Sequence, residues 1–251
     1  MASKRSRARE KSEQERPDDS PGGDRPGSSA FDDEGYRRGV VELLGLLAYG
    51  EISACERLVA DAQMAPDLRS QVAVATMAAS EFRHFEQLRG RLEELGEDPF
   101  EAMAPFEATF TAFHAKTRPS DFLEGLVKAY VGDGLASDFY REVAAYLDGE
   151  TREIVVETMS GTGSSEFVVD HVRAAIEADR RVAGRLALWG RRLMGEALSQ
   201  AQRVVAERDA LSAVLVGGDD TPGLDLAAIG RMLTRITEAH TQRMESLGLS
   251  A

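Results

Sequence analysis

Ala79-Ser80-Glu81-Phe82-Arg83-His84 is the stretch on which the reading of this chain turns. Three residues advance an α-helix by about 300°, so Glu81 and His84 project from one face, one turn apart. That spacing suits a carboxylate and an imidazole gripping one metal ion from a single helix. The stripe around them, Val74, Met77 and Leu88, is apolar. Two ionisable groups on a face meant for burial are costly unless something pairs them, and a metal is one such partner. Glu and His also recur at this spacing by chance. The reading therefore depends on whether other helices bring carboxylates to the same depth.

They do on the sequence pattern. Helix A, from about Tyr36 to Gln63, carries Val40, Leu44, Leu47, Ala54 and Leu58 at alternating spacings, with Glu51 interrupting the line and Glu56 falling off it. A turn at Met64-Ala65-Pro66-Asp67 leads into helix B, which Asp67 caps and Gly96 ends. Helix C begins near Ser120, read as its N-cap, and continues Phe122, Leu126, Ala129, Asp133, Ala136, Tyr140, Val143, Leu147, with Asp138 on another face. Helix D runs from the Asp148-Gly149 turn to about Asp179, bending near Gly161-Thr162-Gly163; its stripe is Met159, Thr162, Glu166, Val169, Val172, Ile176. Glu51 and Glu81 each lie roughly 21–24 Å from the A–B turn, and Asp133 and Glu166 roughly 24–26 Å from the C–D turn. Two helical hairpins thus hold inward acids at one depth. Four close carboxylates could not all stay ionised without cations between them.

Length and composition agree with packed helices. The 251 residues suit one large domain or one domain with appendages, and the chain is 43% hydrophobic but only 6% aromatic. A single cysteine, Cys55, excludes a disulfide framework and a thiolate zinc site. No apolar run has the length of a membrane span and the N-terminus has no signal-peptide core, so a cytoplasmic protein without membrane contact is expected. The net charge of −13 argues against a broad nucleic-acid surface.

Residues 1–34, rich in Ser, Pro, Gly and charge, read as a disordered tail, 35–179 as a four-helix bundle, and 180–251 as a C-terminal helical pair packed on it. Pro99, Pro105 and Pro119 punctuate a long B–C crossover holding one short helix, Phe106 to Lys116, on which His114 reads as structural or exposed. The last two helices span about Val182 to Val216 and Leu226 to Leu247, and His240 reads as a hydrogen-bonded core histidine.

The all-α pattern resembles the ferritin-like di-iron carboxylate bundle, in which a Glu comes from each of two helices and a Glu-x-x-His pair from each of the other two. Ala48-Tyr49-Gly50-Glu51, the Glu81-Phe82-Arg83-His84 stretch, Val131-Gly132-Asp133-Gly134 and Ser165-Glu166-Phe167-Val168-Val169 look like the bacterial group related to tRNA isopentenyl-adenosine hydroxylases. The resemblance covers roughly residues 36–247. It implies iron as cofactor, with Glu51, Glu81, His84, Asp133 and Glu166 as metal ligands, and O₂-dependent hydroxylation of tRNA or a small molecule. An electron donor is also implied, and a homodimer is one arrangement open to the chain. The pattern expects histidine at 169, where this chain has valine; His171 lies about 140° away around the helix, leaving His240 as a substitute only if the last helix docks there. Three functions follow: an oxygenase, a metal-binding protein without hydroxylase activity, and a scaffold whose acids pair with Arg185, Arg191, Arg192 or Arg203.

Overall fold

The computed structural model describes residues 31, 33–158, 164–216 and 226–251. Among these the chain is helical, with no strand: α1 (Glu34–Ala62), α2 (Leu68–Glu94), α3 (Pro99–Met103), a 3-10 turn (Ala104–Phe106), α4 (Glu107–Lys116), α5 (Phe122–Ala144), α6 (Gly149–Thr158), α7 (Ser164–Ala178), α8 (Arg181–Glu207), α9 (Asp209–Val216) and α10 (Leu226–Ser246). No helix of the described residues is long and apolar enough to cross a membrane.

Aspartates start α1, α2, α3 and α5. Asp33 accepts from the Gly35 and Tyr36 amides, Asp67 from Ser70, Asp98 from Phe100 and Glu101, and Asp121 from Glu124. Each satisfies amides that have no partner within the helix. Asp121 is the cap of α5, one residue beyond the expected Ser120; the Ser120 amide and hydroxyl instead donate to Glu124. Gly96, at φ 77°, turns the chain out of α2 in the left-handed conformation that glycine adopts without strain.

Several boundaries differ from expectation. The region expected as tail lies mostly outside the described residues, but Phe31 packs edge-on against Tyr36 at 5.6 Å, and Asp33 and Glu34 begin α1. The crossover holds α3 as well as α4, because Pro99 at the first turn favours a helix start. Helix D is two helices, α6 and α7, and the expected bend between them lies outside the described residues. The long C-terminal helix breaks at Arg208 into α8 and α9.

Two large apolar cores stack along the bundle, and a smaller third cluster gathers Met194, Met232 and Ile236 of the C-terminal helices. One large core gathers Leu43, Leu44 and Leu47 of α1, Phe85 and Leu88 of α2, Tyr140 and Val143 of α5, and Leu211 of α9. The other gathers Leu58 of α1, Val74 and Met77 of α2, Val127 and Val131 of α5, Val168 and Val172 of α7, and Leu186, Leu193 and Met244 from the C-terminal helices. Bundle and C-terminal helices thus share one core across residue 180. Each fully buried leucine contributes about 1.5–3 kcal/mol. Close approach at two glycines completes the packing: a Cβ at Gly39 would strike the Ala210 carbonyl of α9, and one at Gly45 the Ala102 carbonyl of α3. Between the two cores, α1, α2 and α5 switch from apolar to ionisable residues. That polar layer is where the site lies.

Candidate metal centre

Glu51 follows Leu47 of one core and precedes Leu58 of the other, while Glu81 and His84 fall between Met77 and Phe85. The antiparallel pairing of α1 and α2 brings these three side chains together, each offering a ligand atom within 4.8 Å of the others. His84 Nδ1 stands 3.5 Å from Glu51 Oε2 and 3.9 Å from Glu81 Oε2. Glu51 and His84 are 6% and 7% exposed, and Glu81 is half-buried. Tyr140 of α5 donates its hydroxyl proton to Glu51 Oε1 at 3.1 Å, fixing that carboxylate from the side away from the imidazole.

The electrostatics are those of a site short of positive charge. Burial pushes the Glu51 carboxyl well above the ordinary range; hydrogen bonds from Glu81 and Tyr140 only partly offset this. Burial, then the hydrogen bond and charge of Glu51, push Glu81 higher still. Burial also raises Asp133, and it lowers the His84 imidazole. Every group is thus displaced toward its neutral form, as burial does to ionisable side chains. No arginine or lysine pairs with Glu51 or Glu81 among the described residues. Arg185 instead bonds Glu124 and Asp121, Arg191 reaches the Ser250 carbonyl, and Arg192 lies over Trp189.

Asp133 stands at the rim. Its charge acts on Glu51, Glu81 and His84, yet its side chain is open to solvent although hemmed in by protein on its other sides. Asp138, one turn on, is buried and held by Arg243 and Arg141, so it serves packing against α10.

Glu166 requires correction. The inward position expected for it is not where it lies: it is exposed on the first turn of α7, and Val168 and Val172 take the buried line instead. Depth and phase counted from the Asp148-Gly149 turn run through residues 159–163, which lie outside the described residues. Val169 is half-buried beside the second core and supplies no donor. His171 is turned to the Phe167 carbonyl (2.9 Å) and the Ser70 hydroxyl (3.4 Å). His240 is buried as expected, but near Asp138 and Arg243, and its ring nitrogens have no hydrogen-bond partner among the described residues.

Two features escaped the sequence pattern. Tyr140 occupied an apolar stripe and read as core; its seven-residue spacing from Asp133 was the available signal. Behind Glu51 runs a second polar chain. Lys128 Nζ lies 3.1 Å from His114 Nδ1 and donates to the Thr117 carbonyl at 2.8 Å; His114 Nε2 lies 3.2 Å from the Ser53 hydroxyl, which donates to the Gly50 carbonyl. An ammonium only donates, so Nδ1 accepts and Nε2 carries the proton. Crossover helix α4 is thereby pinned to the turn of α1 that holds Glu51. Burial, aided by the Lys128 charge, pushes His114 down to about 3. Its unfolded value is near 6.5, so this contribution is complete above pH 6.5 and is lost as pH falls toward 3. The stability advantage of the wild type over His114→Gln in urea unfolding is expected to shrink by up to about 3 kcal/mol between pH 7 and pH 4. A pH-independent difference would refute this account.

The donor set suits a divalent cation. Two carboxylates and one imidazole favour iron, manganese or zinc over soft-metal chemistry, and the raised acids gain most from a bound positive charge. Residues 34–218 match the model of a family described as a ferritin-like domain of actinomycetes. No curated protein matches the chain.

Proposed function

The chain belongs to this actinomycete ferritin-like domain family, and from that premise we propose that it binds iron through Glu51, Glu81 and His84 and hydroxylates an organic substrate with O₂. The observation that carries the reading is the convergence of these three donors in a polar layer between two apolar cores. Bound iron supplies the redox chemistry that O₂ activation requires. Tyr140 orients Glu51, His84 Nδ1 faces both acids, and the flanking Leu47, Met77 and Phe85 limit water. The hydrogen bond between Glu51 and Glu81 holds a proton that must leave when a cation binds, so affinity rises with pH. Asp133 is the accessible acid at the rim, and its charge acts on all three donors. The net charge of −13 favours a small organic substrate over tRNA, whose phosphates demand basic groups. The electron donor is a separate protein or reductant.

A second reading is favoured by one observation. With Glu166 exposed, valine at 169 and His171 turned to Phe167 and Ser70, the described residues of α5 and α7 bring no histidine to the cluster, which fits a ferritin-like metal-binding protein without hydroxylase activity. Anaerobic Fe(II) titration of the chelator-treated full chain tests the shared premise. Saturable binding is expected in the wild type, weakened about a hundredfold or more by Glu81→Ala. No saturable binding sinks both readings. Binding without O₂-dependent gain of one oxygen on candidate substrates selects the second.

A further inference from the structure

One arginine of the C-terminal helix reaches the helix that walls the donor cluster. Arg243, in the last turn of α10, lies across α5 at Gly134. A Cβ on Gly134 would strike Cδ, Nε and Cζ of Arg243, so the missing side chain is what admits the arginine. Gly134 directly follows Asp133, the acid at the rim of the centre. From there the guanidinium runs one turn along α5 and donates from Nη2 to Asp138 Oδ2.

The charges at this crossing do not cancel. Asp138 also accepts from Arg141 Nη1 at 3.2 Å, so one carboxylate faces two guanidinium groups. Arg141 has 65% of its side chain in solvent, where water screens it, whereas Arg243 has 15%. The Arg243 Nε is buried and has no hydrogen-bond partner among the described residues. His240, one turn earlier on α10, adds no charge, because burial holds its imidazole below the usual range. The surplus positive charge therefore rests on Arg243, beside Asp133. Burial raises the Asp133 carboxyl, and the charges of His84 and then Arg243 pull it back down. Asp133 in turn acts on Glu51, Glu81 and His84.

We propose that Arg243 is the counter-charge of Asp133 and a positioning residue of the metal centre, holding its affinity for a cation below what the carboxylates alone would give. The inference rests on the assignment of Glu51, Glu81 and His84 as metal ligands. A bound cation and the guanidinium compete for the same negative field, so α10 sets the strength of a site to which it gives no ligand. Arg243 also ties α10 to α5 through Asp138, and that structural role alone predicts the opposite sign. Loosening α5 would weaken metal binding, whereas removing a competing charge strengthens it.

The test is titration of the chelator-treated full chain with Mn(II), read from the electron paramagnetic resonance of the free ion. Circular dichroism confirms that each variant is folded at the assay temperature. Arg243→Met and Arg243→Gln, the second keeping an amide donor for Asp138, are expected to bind Mn(II) about fivefold more tightly than wild type while melting lower. Arg243→Lys keeps the charge and should stay within about twofold of wild type. Asp138→Asn keeps an acceptor for Arg243 but removes the compensating charge, and should bind about threefold more weakly. Equal or weaker binding by both charge-removing variants would overturn the inference while leaving the centre itself in place. So would charge-removing variants that move in the same direction as Asp138→Asn. No saturable binding by the wild type would overturn the functional reading and this inference with it.

Discussion

Replacing His84 with alanine is expected to abolish the thermal stabilisation that a divalent metal confers on the chelator-treated protein. A cation that binds the folded chain at a hundred times its dissociation constant adds about 2.7 kcal/mol. For a domain of this size that raises the melting temperature by roughly 5–11 °C. The gain depends on the native site, because the unfolded chain does not hold Glu51, Glu81 and His84 within one coordination sphere. His84 is the one nitrogen donor of the cluster and faces both acids. Without it the remaining carboxylates are left to share a proton, and the shift should fall below about 2 °C. Manganese, stable toward air, makes a convenient probe beside anaerobic Fe(II), and melting followed at 222 nm gives the readout. Equal shifts in wild type and variant would mean that the metal binds elsewhere.

The second large effect lies outside the donor cluster, about two turns before Glu51 on α1. Gly45→Ala places a methyl group inside the contact distance of the Ala102 carbonyl, and that carbonyl is backbone, unable to swing aside as a side chain would. Either α3 lifts off α1 or α1 shifts in its most tightly packed turn, beside Leu43, Leu44 and Leu47. A cost of about 3 kcal/mol or more is expected in urea unfolding. Gly90→Ala is the matched control. Nothing lies within 4 Å of a Cβ there, and α2 gains a better helix former, so the change should be neutral or stabilising by up to about 1 kcal/mol. Similar losses at both positions would show that close packing at Gly45 is not the cause.

How much was legible in the sequence follows from how each expectation was built. Glu51, Glu81 and His84 lie on two uninterrupted helices joined by one short turn, so phase and depth could be counted residue by residue. The same counting failed at Glu166, whose phase had to be carried from the Asp148-Gly149 turn through residues 159–163, outside the described residues, and it lies exposed at the start of α7. Asp133 sits on the counted stripe, yet it is open to solvent because a stripe predicts direction and says nothing about what covers it. Asp121 took the cap from Ser120 through a competition that composition could not decide. The Lys128–His114–Ser53 chain joins three helices by side-chain hydrogen bonds, for which linear spacing offers no signal. Arg208, where the C-terminal helix breaks, is neither glycine nor proline, and the break follows from docking α9 onto α1.

That docking bears on how the chain is made. The Leu211 amide donates to the Glu42 carboxylate across 169 residues at 3.1 Å, and Leu211 and Val214 close the core begun by Val40 and Leu43. During synthesis, α1 leaves the ribosome on the order of ten to thirty seconds before its covering helix exists. Throughout that interval α2 covers one side of the first helix, and the side around Gly39 that α9 will cover stays open to the cell. Nascent α1 is therefore the segment of this chain most in need of a chaperone, and a transcript cut before codon 209 should yield an aggregating product rather than a smaller folded one.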